Sequence, residues 1–229
     1  MRIALFSDVH GNAVALEAVL AHMRRESAPD VLFVAGDLVA DGPRPAEALA
    51  LLRSLPGARF VIGNTDQDLL YRQGDPQLDF ARATLSDDDL RWLDALPFEQ
   101  RLEAAPGHEL LVVHANPRNL YDQLKPDGRE DLIRPLLADV REEVVAFGHY
   151  HVPFVRQIDR TMLVDVASVG LPRDGLLRAV YVVLTWDGRA WQVAHHRIAF
   201  DAGAVARDYE QVGFPGAEKA AKKLLKASY

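Results

Sequence analysis

Seven side chains of the kinds that bind borderline divalent metals recur at the ends of apolar runs: Asp8, His10, Asp37, Asn64, His114, His149 and His151. Ile3-Ala4-Leu5-Phe6 leads into Ser7-Asp8-Val9-His10-Gly11-Asn12, and Val31-Leu32-Phe33-Val34-Ala35 leads into Gly36-Asp37. Arg59 to Ile62 is followed by Gly63-Asn64-Thr65-Asp66, Leu110 to Val113 by His114, and Val144 to Phe147 by Gly148-His149-Tyr150-His151. Mixed carboxylate, amide and imidazole donors suit Mn, Fe, Ni, Co or Zn. Seven donors exceed a tetrahedral site and suit two ions that share a carboxylate. Such a pair supplies Lewis acidity and can lower the pKa of a bound water.

The elements that must position these residues follow from the pattern. Short apolar runs bounded by glycine and polar residues read as buried strands. Between them, Ala13 to Arg25 carries Val14, Ala18, Val19 and Met23 at helical spacing, and Ala46 to Leu55 is a second helix after the Asp41-Gly42-Pro43 loop. This β-α-β-α-β order predicts a parallel sheet with ligands at the carboxyl ends of its strands. Residues 67–96 read as a helical, cap-like insert, broken at Asp75-Pro76. Its Ser86-Asp87-Asp88-Asp89 is a capped helix start rather than a metal site. Beyond Phe98 the chain turns β-rich, with hairpins at Pro106-Gly107, Asp159-Arg160 and Asp187-Gly188 and a helix over Asp131 to Val140. Helices over 202–227 close a single domain spanning 1–229.

Composition narrows the options. The 229 residues are 49% hydrophobic and include no cysteine, which excludes disulfides, thiolate zinc sites and cysteine nucleophiles and fits a cytoplasmic protein. No apolar run nears the roughly 20 residues of a membrane span. A net charge of −7 gives no footprint for general nucleic-acid binding. An acidic protein that handled phosphates would need local positive charge, which bound cations could supply, and a homo-oligomer is compatible with the sequence. Four of the five lysines fall between Lys219 and Lys226, the pattern of a solvated helix face. His22 reads as a surface residue on a helix face, His108 as solvent-facing in a hairpin turn, and His195 and His196, on opposite faces of a strand, as structural.

The ordered series Asp-x-His, Gly-Asp, Gly-Asn-x-Asp, His and Gly-His-x-His resembles the calcineurin-like metallophosphoesterase superfamily. It is most similar to the YfcE-like small bacterial and archaeal phosphodiesterases, from Arg2 to about Ile198. The resemblance implies a four-layer α/β/β/α sandwich of two mixed β-sheets flanked by helices. It implies one ion on Asp8, His10, Asp37 and His151 and another on Asp37, Asn64, His114 and His149, with Asp37 bridging and manganese favoured. It also implies hydrolysis of phosphodiesters by a metal-bridging hydroxide, with a small phosphate-ester or nucleotide substrate as the expected partner. In loops beside the motif strands, Asn12, Arg44, Arg118 and Arg173 are expected substrate contacts. One position departs from the family: many members carry His after the Gly-Asn pair, and here it is Thr65. Threonine is no acid near neutral pH, which favours a diesterase over a phosphomonoesterase or a protein or nucleotide phosphatase. A catalytically silent scaffold would be expected to have lost ligands, and here every ligand position is filled. Other dinuclear hydrolases lead with His-x-His, where this chain has Asp-x-His.

Overall fold

Strand β1 (Arg2–Phe6) sets the architecture. Its side chains alternate between two clusters, Ile3 and Leu5 facing one and Ala4 and Phe6 the other, as a period-two strand requires. A strand buried on both faces must lie between two layers. The computed structural model, which describes residues 1–26 and 28–228, shows both. One sheet runs in the order β10 (Trp191–Ile198), β9 (Ala179–Trp186), β1, β2 (Val31–Val34), β3 (Arg59–Phe60). The second runs β4 (Glu99–Ala105), β5 (His108–Val113), β6 (Val144–Phe147), β8 (Thr161–Asp165), β7 (Phe154–Ile158). Each has a parallel centre: β1 beside β2 and β2 beside β3 in the first, β5 beside β6 and β6 beside β8 in the second. Antiparallel strands flank both centres.

Between the sheets, Ile3, Leu5 and Phe33 meet Val112, Val144 and Val164. Each such burial is worth roughly 1.5–3 kcal/mol. On the outer face of the first sheet lie α1 (Ala13–Glu26), α2 (Pro45–Arg53), α3 (Asn64–Tyr71), α4 (Pro76–Thr84) and α5 (Asp87–Asp94). The stretch expected to be a cap-like insert buries Leu69, Leu78, Ala81 and Leu93 in the same cluster as Ala4 and Phe6. Behind the second sheet the fourth layer is thin. The helix expected over Asp131 to Val140 is only α6 (Glu130–Ile133) and a 3-10 turn, Arg134–Leu137. Pro135 has no N–H to continue the ladder. Strand β3 also stops earlier than the sequence suggests, since Ile62 N–H donates to Pro97 O instead of a neighbouring strand. Helices α7 (Ala202–Gln211) and α8 (Ala217–Lys226) form a satellite cluster around Tyr209, Phe214 and Leu224.

Candidate metal centre

The carboxyl ends of β1, β2, β3, β5 and β6 converge at one edge of the sandwich, and each delivers its motif there. Asp8, His10 and His151 form one group whose ligand-type atoms all lie within 4.8 Å of one another, and Asp37, His114 and His149 form a second. Asn64 joins the second group, its Oδ1 lying 2.9 Å from His114 Nε2. Asp37 stands between them: Oδ2 lies 3.6 Å from His10 Nε2 and Oδ1 lies 3.4 Å from His114 Nε2.

Backbone carbonyls fix the ring tautomers. A carbonyl only accepts, so the nitrogen facing it must carry the proton. His10 Nδ1 faces Ala40 O at 3.1 Å, His114 Nδ1 faces Ala35 O at 2.8 Å, and His151 Nδ1 faces Leu171 O at 2.6 Å. Each ring, when neutral, therefore aims an Nε2 lone pair at the centre. In His149 the roles reverse, with Nε2 donating to Tyr121 O at 2.9 Å and Nδ1 left for the centre. The lone pairs then crowd one another. His10 Nε2 and His151 Nε2 are 3.3 Å apart. Asp8 Oδ1 lies 2.9 Å from His151 Nε2, yet this fully buried oxygen has no hydrogen-bond partner. An orphaned carboxylate oxygen among imidazole lone pairs is what a cation would satisfy, so the donor set fits a divalent metal at each cluster.

Without a cation, the surrounding carboxylates draw a proton onto His10 in its place. Burial would depress His10, but Asp8, Asp37 and Asp41 raise it to about 9. Asp8 lies well below the usual carboxylate range, the neighbouring His151 and His10 rings outweighing its burial. Burial lifts Asp37 to about 6 and lowers His114, His149 and His151.

Holding these groups strains the backbone. Asp8, His10, Asp37, His149 and His151 have φ of 55°, 48°, 53°, 67° and 60°. A non-glycine residue in that region costs on the order of 1 kcal/mol. The motif glycines make room as well as turns. A Cβ on Gly63 would lie 2.1 Å from Asp37 Oδ1, and one on Gly148 2.2 Å from Asp8 Oδ2. Two backbone donors hold the carboxylates through these tight passages: Thr65 N–H to Asp37 Oδ1 and His149 N–H to Asp8 Oδ2, each at 2.9 Å.

The expected substrate contacts have other occupations. Asn12 caps α1 by accepting from Ala15 N–H and donates to Gly170 O, so its amide works inside the fold. Arg44 forks onto Asp208 and also reaches Glu47, while Arg118 pairs with Asp139. Arg173 stays near the centre, its N–H donating to His151 O at 3.2 Å. Asp66 orients its neighbours, its carboxylate joining Leu38 N–H to Gly63 N–H and so the second motif loop to the third. The other histidines lie elsewhere: His22, expected at the surface, against Tyr181, His108, expected to face solvent, against Glu143, His195 on Asp165 O, and His196 stacked on Tyr181. Sequence reasoning missed the carbonyls of Ala35, Ala40, Tyr121 and Leu171, because a carbonyl leaves no side-chain signal. It also missed Ser168, whose hydroxyl donates to Asp8 O.

This fold and edge define a class. The chain belongs to the calcineurin-like phosphoesterase superfamily, whose domain model matches residues 1–189. A metallophosphoesterase from Sphaerobacter thermophilus superposes with a TM-score of 0.83 at 26% identity, covering 99% of this chain and 100% of that one. Yfce, a phosphoesterase from E. coli, shares the fold at a TM-score of 0.53 and 22% identity over 87% of this chain and all of its own. MJ0912 of Methanocaldococcus jannaschii is 28% identical, with 92% of this chain and 91% of that protein covered. The symmetrical bis(5'-nucleosyl)-tetraphosphatase of Pectobacterium carotovorum is 35% identical over 50% of this chain and 43% of its own length. Among the described residues, no helix is long and apolar enough to cross a membrane.

Proposed function

We propose that this chain hydrolyses phosphodiesters with two divalent cations, one held by Asp8, His10, Asp37 and His151 and the other by Asp37, Asn64, His114 and His149. The observation that carries the reading is the sharing of Asp37, whose two oxygens face opposite clusters. When bound, such a cation pair supplies Lewis acidity to a phosphoryl group and a nucleophile from water at neutral pH. Oxygen and imidazole donors without thiolate favour manganese, with iron, nickel, cobalt or zinc as alternatives.

The chain's own residues do the positioning. Thr65 N–H orients Asp37, Asp66 locks the two loops together, and three carbonyls hold the His10, His114 and His151 rings in the ligating tautomer. Arg173 brings positive charge beside His151. Diesters are favoured because the Thr65 hydroxyl is buried with no hydrogen-bond partner and is no acid at neutral pH. Metal analysis together with hydrolysis of bis-p-nitrophenyl phosphate and p-nitrophenyl phosphate tests the reading. Two ions per chain and faster diester turnover are expected, and metal-loaded protein inert to every mono- and diester would defeat it.

A further inference from the structure

Four backbone carbonyls fix the ligand rings, and one of them stands apart. Ala35, Ala40 and Leu171, which serve His114, His10 and His151, are buried, whereas Tyr121, which serves His149, is half exposed. A carbonyl at the surface holds a ring only as firmly as its own loop is held. Behind Tyr121, the loop is built on the buried Asn116, two residues past His114. Asn116 accepts from the N–H groups of Arg118 and Asn119 and donates to Asp122 O at 2.8 Å. Asn119 in turn accepts from the N–H groups of Tyr121 and Asp122.

The side chain of Tyr121 supplies a second anchor, on the opposite wall of the second cluster. Its hydroxyl donates to Asp68 Oδ1 at 3.0 Å, with Gln67 Oε1 at 3.2 Å as a further acceptor. Helix α3 begins at Asn64, so these acceptors lie three and four residues beyond a ligand and share its helix face. Burial, then Asp68 and Asp37, push the phenol above its ordinary value, so the hydroxyl stays protonated and donates at neutral pH. One residue thus touches His149 with its main chain and the Asn64 face of α3 with its side chain. The first cluster, whose carbonyls come from buried residues, has no such strap to the surface.

We propose that Tyr121 is a positioning residue for the second ion: its hydroxyl, anchored on Asp68, holds its carbonyl against His149 and so sets how tightly the Asp37, Asn64, His114 and His149 cluster binds a cation. The proposal rests on the two-ion reading for the presence of that ion. The test is calorimetric titration of the metal-free full chain with manganese, in wild type and in Tyr121→Phe, which keeps the ring and removes only the hydroxyl. The same pair is compared in a background carrying Gln67→Ala and Asp68→Ala, changes that a helix accommodates well.

The expected result is a selective loss: about 3- to 10-fold for the weaker ion, the scale of one half-exposed hydrogen bond to a carboxylate, and about twofold at most for the tighter one. In the background lacking both acceptors, Tyr121→Phe should cost nothing further. Equal losses at both ions, unchanged affinities, or an undiminished loss in that background would each overturn the proposal. Nitrogen-15 NMR of the metal-free chain reads the ring without an ion. His149 should keep its proton on Nε2 in wild type and shift it towards Nδ1 in Tyr121→Phe, and a tautomer that does not respond would also overturn the proposal. The two failures are therefore distinguishable. A wild type that takes fewer than two manganese ions, with a responsive tautomer, defeats the two-ion reading and keeps the positioning role, whereas two ions with an unresponsive tautomer do the reverse.

Discussion

The two ligand clusters differ in depth and charge. Asp8, His10 and His151 are all buried, and their carbonyl partners come from loops that the core encloses. In the second cluster Asp37 and His114 are buried, but Asn64 and His149 are only partly so, and His149 leans on the carbonyl of half-exposed Tyr121. The first cluster has one carboxylate of its own, whereas the second adds a neutral amide to the shared Asp37. Less charge and more access should leave the second ion more weakly held and more available to substrate. On the proposed reading, the deeper cluster would anchor one ion and the shallower one would work on substrate, with Asp37 shared between them.

Breaking the joint should have the largest effect. Asp37→Ala is expected to cost both clusters an ion and to lower phosphodiester turnover by roughly 1,000-fold or more. Metal analysis and steady-state rates check this, and a variant with two ions and near-normal turnover would contradict the bridge. Asn64→Ala against His151→Ala sharpens the asymmetry. Asn64→Ala should weaken one ion by about 10- to 100-fold and leave the other in place. His151→Ala should remove the tighter ion and lower thermal stability as well, since it leaves Asp8 buried among fewer partners. Equal affinities for the two ions in wild type would remove the distinction.

Gly63→Ala and Gly148→Ala damage the clusters without deleting a ligand. The new methyl collides with Asp37 Oδ1 in one case and with Asp8 Oδ2 in the other. Gly63→Ala should therefore disturb both ions and Gly148→Ala chiefly the deep one, each costing about 10-fold or more in metal affinity. A smaller, opposite effect is expected at the working site. If Thr65 stands where a leaving-group acid would, Thr65→His should raise phosphomonoester turnover by roughly 10-fold or more. An unchanged rate with fold and metals intact would count against that placement.

Legibility follows the same division between side chains and backbone. Strands announce themselves by apolar runs, and a ligand-type side chain stands out at the end of one, so the placing of Asp8, Asp37, His114 and His149 at one edge was readable without coordinates. Their grouping into two clusters that share Asp37 depends on sheet order, which the motif order suggested only through resemblance. Carbonyl partners such as Leu171 O were not readable, because any residue type supplies one. Asn12 and Arg44 illustrate a different limit. Both stand beside motif strands, and proximity in sequence does not reveal a distant partner such as Gly170 O or Asp208, which lies 164 residues away from Arg44.

The smallest effect probes what the deep cluster costs the fold. Asp165, at the end of β8, is fully buried, and its Oδ2 has no partner among the described residues. Its Oδ1 accepts from Ala167 N–H at 2.6 Å. Burial, with the Asp8 charge adding to it, raises this carboxyl well above 3.8. Between pH 4 and the folded value, the folded chain therefore keeps a proton that the unfolded chain has lost. The sign follows: the group imposes no penalty near its unfolded value, and stability falls as pH rises from there towards the folded value. Asp165→Asn keeps the Ala167 bond and removes the titration. At pH 7 the metal-stripped variant should be more stable than wild type by on the order of 1 kcal/mol, or about 2–4 °C in Tm, and the gap should close near pH 4. A gap of constant size across that range would show that Asp165 acts through packing rather than charge, and would free the deep cluster of this electrostatic cost.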